Sequence, residues 1–535
     1  MPILSTYRKV VNFFQNTPGT SVRSAAAELQ MSKSAVHRHQ QAQERRQQYP
    51  ESHLWDSQEG YEFLCRLVTV VLYCFGLEKG IGADSLSRFF HALHIDSHIA
   101  VSPSTLRHVL ARMEDQTLEF EQQCQQQVTD LDVIPQIVAG VDETFFERMI
   151  LVLMDLASGF ILMEAFSTKR TYDQWMNLLH PHLSAWPVEI KQVVSDQAKA
   201  LIKLAADGFE CIHIPDLFHA TQEVVKAMGL PFARQMKQAE DDVDKLRGEI
   251  ETLQKQITWL PIRFHNLSLQ PRYTIQFEVQ QQYRFIEEGQ CHYRQLLLEL
   301  SKKVHPFAVD DASIQSSAQV LDALQKTLQA LRNLKNRFEI QDASDRLGKC
   351  ERQLEAIAAG IDFWWRWVEA SLLAASLSAK ADEWVRTVLL PWLYWETQRA
   401  RTDHPDLKRL YERLAEQAHH AFNIHDYTQR LGENDLTQWH QWAQHMIGRF
   451  QRASSAVEGR NGYLSQIYHI RRGLSDKRLK VLTIIHNFGL QRPDGTTAAQ
   501  RLYQIDFPDL LAYLIRSADP LPASRRSKKG DRVMA

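Results

Sequence analysis

No two cysteines in this chain have the spacing of a metal or redox motif. Cys65, Cys74, Cys124, Cys211, Cys291 and Cys350 are scattered, with no CxxC among them. That excludes a zinc ribbon or knuckle and favours free thiols in a reducing compartment over a disulfide framework. Long apolar runs are also lacking. The longest, Leu67 to Leu77, falls short of the ~20 residues that cross a bilayer and is bracketed by Arg66 and Glu78. Residues 1–48 read as a helical module and not as a signal peptide, so a cytoplasmic location is expected. Nor is there a strong charge of one sign. The formal net charge is -2, which leaves the partner unidentified from total charge alone.

What is present is length enough for three or four domains: 535 residues, 44% hydrophobic. Charge is informative locally. Residues 1–47 carry seven Lys/Arg against two Glu, and residues 451–480 carry seven against Glu458 and Asp476. The tail holds Arg525, Arg526, Lys528, Lys529 and Arg532 against Asp531. Three separated basic stretches suit a polyanion contacted along a track, although each alone also fits a solvated face.

Within residues 1–50, apolar spacing predicts three short helices, with Val10, Val11, Phe13 and Phe14 in the first and Ala25, Ala26, Ala27 and Leu29 in the second. Ser32 can cap a third, on which Ser34, His37, Arg38 and Gln41 share the outward side. This is the layout of a helix-turn-helix with its recognition helix last. Residues 51–130 form a second helical block. There Ser102-Pro103-Ser104 signals a helix start, Thr105 to Met113 is a candidate second recognition helix, and the polar run Gln122 to Gln127 suggests a helix end and link.

From Ile134 the pattern changes. "IPQIVAGVDETFF", "RMILVLMDLASGF" and "FILMEAFS" predict three strands, followed by a helix over about Thr171 to His182. Next come the strand "VEIKQVVS", a helix, the strand "ECIHI", and another helix from about Asp216. Three strands, helix, strand, helix, strand is the order of the RNase H fold. The expected architecture is therefore an α/β RNase H-like core with a mixed five-stranded sheet (131–230 and 441–495). A large all-α insertion interrupts it (231–440), all-α helix-turn-helix modules precede it, and a segment with a basic tail follows (496–535). The insertion carries a heptad seam from Met236 to Leu260, ended by Pro261, and two more at Leu321–Leu331 and Leu347–Ile361. Six of twelve tryptophans fall between Trp364 and Trp395, spacing that usually marks core.

Carboxylates at strand ends in so apolar a sheet are costly unless paired, hydrogen-bonded or metal-bound. Asp142 in "IVAGVDETFF" and Asp196 in "KQVVSDQAK" occupy such ends. If their strands are neighbours, both reach one cation, and such hard oxygen donors suit Mg²⁺ or Mn²⁺. A pair of ions roughly 3.5–4 Å apart can activate a water or 3′-hydroxyl and stabilise the departing oxygen of a phosphodiester. Glu143 should face the other way by strand alternation. Asp155 is the rival ligand, with capping of the Ala157-Ser158-Gly159 turn as its plainer role.

The order "GVDETFF…LVLMDLASGFIL", "VVSDQAKAL", "IPDLFHA" and "SSAVEGRNGYLS…LKVLTIIHNF" resembles the DDE/D transposases of bacterial insertion sequences, over about Ile134 to Leu490. The resemblance implies Asp142, Asp196 and Glu458 as ligands of two Mg²⁺ ions, with Mn²⁺ as a possible substitute. It implies that His219, in Asp216-Leu217-Phe218-His219, orients the site or contacts the scissile phosphate; a helix cap with a half-buried histidine is the other reading of that tetrapeptide. The 262 residues from Asp196 to Glu458 fit relatives with a helical insertion, in which Trp364, Trp365 or Trp367 could stack on a flipped base. Double-stranded DNA, as terminal inverted repeats and target, is the implied partner, handled by a homodimer or larger assembly. Candidate DNA contacts are Ser34, His37, Arg38, Gln41, Arg452, Arg460, Arg471 and Arg472. The competing functions are a transposase-derived DNA-binding protein without catalysis and an RNase H-like nuclease.

Overall fold

The computed structural model describes residues 2–518 apart from 48, 50, 52, 53, 56, 130, 132 and 472, with side chains also set aside at 2–5, 45–47, 263 and 471. The basic tail and Arg472 thus lie outside the described residues, as does the side chain of Arg471. The chain divides into two compact units, Met1–Pro135 with Glu143–Glu189 and Glu458–Ala535, and Gln136–Asp142 with Ile190–Val457.

The first unit opens with α1 (Pro2–Asn16), α2 (Val22–Glu28) and α3 (Lys33–Gln47). Val10, Ala25, Ala26 and Val36 are their shared core, with Phe13, Phe14, Val22, Leu29 and Met31 packed round it. Small alanines let α2 lie close against α3. Ser21 Oγ accepts the Ser24 N–H at 3.2 Å and Ser32 Oγ the Ala35 N–H at 3.2 Å, capping the second and third helices. Between them Gln30 turns the chain with φ 53°.

Then follow α4 (Gln58–Val71), continued by a π-helical turn to Glu78, α5 (Ala83–Ala92) and α6 (Pro103–Thr129). Among the described residues, Gln58–Glu78 is the one helix long and apolar enough to cross a membrane. The apolar run starting at Leu67 is only its second half. Leu64, Val68, Leu72 and Leu77 are buried within the unit, as in a core helix. Gly76 permits this packing, since a Cβ there would stand 2.7 Å from Leu110 Cδ2 of α6.

Two expectations are corrected in α6. Thr105–Met113 is not a separate recognition helix but the opening of a 27-residue helix that buries Leu106, Leu110 and Met113. The polar run 122–127 is no link either, because the same helix continues through it and buries Cys124 and Val128.

The strands are β1 (Gln136–Phe145), β2 (Met149–Asp155), β3 (Ile161–Ser167), β4 (Glu189–Ser195) and β5 (Ile212–Pro215), with α7 (Tyr172–Ala185) before β4 and α8 (Lys199–Lys203) before β5. They form one five-stranded sheet in the order β3-β2-β1-β4-β5. It is mixed: β2 and β3 are antiparallel, Met149 opposite Ser167, whereas β4 and β5 are parallel, Gln192 opposite Ile212. Every residue of β2 is buried, which is why its sequence is continuously apolar and not alternating. The fold is therefore mixed α/β with a large helical content.

The second unit carries β4 and β5 and then helices: α9 (Leu217–Val224), α10 (Leu230–Gln256), α11 (Ile262–Lys303), α12 (Ser317–Arg337), α13 (Arg346–Ala374), α14 (Ala379–Trp384), α15 (Leu390–Arg401), α16 (Pro405–Ile424), α17 (Asp426–Arg430) and α18 (Glu433–Gly448). The heptad positions Leu324, Leu328 and Leu331 of α12 and Leu347, Cys350, Leu354, Ile357 and Ile361 of α13 are buried in one core. The first seam is half of a hairpin arm. Leu246, Ile250 and Ile257 pack on Leu269 of α11, with Leu253, Leu260 and Val279 around them.

The tryptophans are core. Trp364, Trp384 and Trp395 are fully buried and Trp365 nearly so. Trp364 and Trp365 are thus closed off from a nucleobase. Trp367 is half-buried, donates to Gln136 Oε1 at 3.2 Å and has the Arg449 guanidinium 4.2 Å over one face of its ring. The first unit resumes with α19 (Ser455–Arg471), α20 (Asp476–Ile484), α21 (Ala498–Tyr503) and α22 (Leu510–Ser517).

Candidate active site

Asp142 and Asp196 are brought side by side by the way their strands begin. The Glu189 N–H donates to the Pro135 carbonyl at 2.9 Å, so β1 and β4 start together and, as sheet neighbours, run in the same direction. Asp142 and Asp196 each lie seven residues beyond their end of that bond. Adjacent strands stand about 4.8 Å apart, so Asp142, three residues short of the end of β1, lies level with Asp196, the residue after the end of β4. Both are half-buried. Asp196 Oδ1 accepts the Ala198 N–H at 2.9 Å, which fixes the turn out of β4. Beside it, Ser195 Oγ lies 2.9 Å from His213 Nε2. Burial holds that imidazole below its ordinary pKa, against the pull of the nearby Asp196.

Asp196 opens on a cavity of about 600 Å³ that also takes in His219, Glu223, Lys226, Arg346, Lys349 and Arg352. Four cations face two carboxylates there. Glu223 bonds Lys226 and Arg346, each at 3.1 Å, and Arg352 reaches Asp345 at 3.2 Å. None of these cations was singled out from the sequence. The signal was available, since Arg346, Lys349 and Arg352 recur every third residue on one face of α13. The apolar seam Leu347, Cys350 and Leu354, on another face of the same helix, drew the attention instead.

Asp216 is a structural clasp. Buried at 1% exposure, it caps α9 by accepting the Phe218 N–H at 2.7 Å through Oδ1. Its Oδ2 accepts the Ser454 N–H at 3.0 Å and the Ser454 hydroxyl, and the Leu217 N–H donates to the Arg452 carbonyl at 2.9 Å. The cap reading of the tetrapeptide therefore holds for Asp216, while His219 faces the Asp196 cavity. Glu458 follows Ser454 by four residues, half-buried in the first turn of α19. Among the described residues, no three His, Cys, Asp or Glu side chains are gathered at metal-holding distances. Two carboxylates at one level on neighbouring strands fit a hard divalent cation.

Asp155 serves the turn. Its Oδ2 accepts the Ser158 N–H at 2.8 Å and the Ser158 hydroxyl at 2.6 Å. Glu143 reaches Arg170 at 3.5 Å.

The basic stretch near Glu458 is corrected most. Arg452 is engaged within the chain: its Nη1 donates to the carbonyls of Ser301 at 2.9 Å and Val304 at 3.0 Å and to His305 Nε2 at 3.1 Å. Arg460 is buried. It forms a forked pair with Glu164 at 2.9 and 2.7 Å, with side chains 2% and 0% exposed. Arg478, Lys477 and Lys480 reach Glu114, Asp115 and Glu121 of α6 at 3.0, 2.6 and 2.6 Å. The basic face of α20 thus meets an acidic stripe of its own chain. On α3 the pattern is open: Ser34 and Arg38 are exposed, His37 and Gln41 half-buried, and Arg38 Nε bonds the Ser34 carbonyl at 3.1 Å.

Residues 385–530 match a family described as a family of unknown function, DUF6399. No curated protein matches the chain.

Proposed function

We propose that the chain is a DDE-type DNA transposase whose sheet is an RNase H-like catalytic core, with α1–α3 reading transposon-end DNA. The observation that carries this is the common start of β1 and β4, which puts Asp142 and Asp196 at one level on neighbouring strands, with Asp196 opening on a cation-lined cavity. Asp142 and Asp196, with Glu458 as the third carboxylate of the sequence resemblance, would hold two Mg²⁺ ions, which supply activation of the attacking water or 3′-hydroxyl and stabilisation of the departing oxygen. Lys349 and Arg352 bind phosphates of the strand entering the cavity, and His219 orients the scissile one. The Asp216 clasp fixes the approach to α19. In cleavage a water adds to phosphorus as one P–O bond breaks, leaving a 3′-hydroxyl and a 5′-phosphate; the 3′-hydroxyl then attacks a target phosphodiester, whose own 3′-oxygen departs, with no covalent enzyme intermediate.

The test is strand cleavage and joining on a DNA pair carrying candidate terminal inverted repeats, in Mg²⁺ or Mn²⁺. Activity lost by orders of magnitude in Asp142→Asn, Asp196→Asn and Glu458→Gln, with folding and end binding kept, supports the proposal. Cleavage without joining makes the chain an RNase H-like nuclease. Binding without cleavage in the unaltered protein makes it a DNA-binding relative of transposases.

A further inference from the structure

A cleft lies at the far end of β1, within the first unit. Phe145, the last residue of the strand, is 60% exposed and makes no ring contact among the described residues. The pairing of Met149 with Ser167 brings the chain entering β2 and the chain leaving β3 out at one edge. There Phe145, Met149, Thr168, Lys169, Arg170 and Thr171 line a cleft of about 430 Å³, a volume typical of small-ligand sites. The cleft is held in shape. Ser167 Oγ donates to the Lys169 carbonyl at 2.6 Å and accepts the Lys169 N–H at 3.2 Å, Thr171 Oγ1 caps α7, and Arg170 reaches Glu143. No ion pair engages the Lys169 ammonium among the described residues.

An exposed aromatic ring beside two cations is the pairing that binds single-stranded nucleic acid, the ring stacking on a base and the cations taking its phosphates. We propose that this cleft holds an unpaired nucleotide of a DNA strand, with its base on Phe145 and its flanking phosphates on Lys169 and Arg170. Phe145 lies three residues beyond Asp142 on the same strand, so the unpaired nucleotide belongs to DNA close to the cut. The inference rests on the transposase reading, but it is tested without catalysis.

The probe is a short single-stranded DNA oligonucleotide carrying one 2-aminopurine, bound to the full chain in EDTA. Stacking quenches its emission. The expected result is quenching on binding, lost in Phe145→Ala with affinity lowered roughly 5- to 100-fold and restored in Phe145→Trp. Lys169→Ala should weaken binding and flatten its salt dependence while quenching persists at saturation. Unchanged quenching and affinity in Phe145→Ala would overturn the proposal, as would binding of duplex alone without quenching. Cleavage of duplex DNA in Mg²⁺ by the unaltered protein, measured beside these, separates failure of the subsite from failure of the catalytic reading.

Discussion

Replacing Arg460 by alanine should cost fold stability and not DNA affinity. Its guanidinium and the Glu164 carboxylate are almost completely buried, and Thr483 Oγ1 adds a third bond to Glu164 at 2.8 Å. Removing one partner leaves a buried charge uncompensated, a loss of about 3–5 kcal/mol. For a unit of this size that corresponds to a fall in melting temperature of roughly 6–15 °C. Exchanging both, as Arg460→Met with Glu164→Leu, removes both desolvation penalties and should recover most of the loss. Thermal unfolding of the two single variants and the double variant gives the coupling directly. The reasoning is refuted if Arg460→Ala melts like the unaltered protein and binds DNA more weakly, since that is the behaviour of a surface phosphate contact.

Asp216→Ala should destabilise the second unit by about 2–4 kcal/mol, because it removes the α9 cap and leaves the buried Ser454 donors unmatched; denaturant unfolding reads this. Leu246→Asp with Ile250→Asp should unfold the hairpin arm, seen as lost helical signal and new protease cleavage between 240 and 280, since an isolated helix of this length owes most of its stability to its partner. Stability should also fall in acid. Burial holds His182 and His486 down to about 4 and His305 well below its ordinary value. The unfolded chain therefore binds more protons between pH 6.5 and 4. Stability is complete above 6.5 and declines as pH falls toward 4, by up to roughly 3 kcal/mol for each of His182 and His486. A melting temperature flat over that window would contradict it.

The strands were legible because their apolar runs are short and bounded by turn residues, and Asp155 because Ser158 and Gly159 follow it at turn spacing. The first two seams of the insertion were legible from their period alone. What escaped was every partner far along the chain. Arg460 reads as a surface cation until Glu164, 296 residues earlier, is known to face it, and Arg452 until the end of α11 supplies carbonyls. Thr105–Met113 looked like a short helix because polar glutamines follow it. Those residues continue α6, whose buried positions recur between them. A periodicity identifies a buried face but not what covers it, so the distant carboxylates and carbonyls that engage these charges could not be read from the sequence.

The central claim is that Asp142 and Asp196 share one divalent-metal site. Loading the protein with Fe²⁺ in place of Mg²⁺ and adding ascorbate and peroxide cuts the backbone near the bound ion. The account predicts fragments ending near both 142 and 196, with both sets lost in Asp142→Asn and both lost in Asp196→Asn. Cutting at neither position, or cutting near one that survives loss of the other carboxylate, would contradict it.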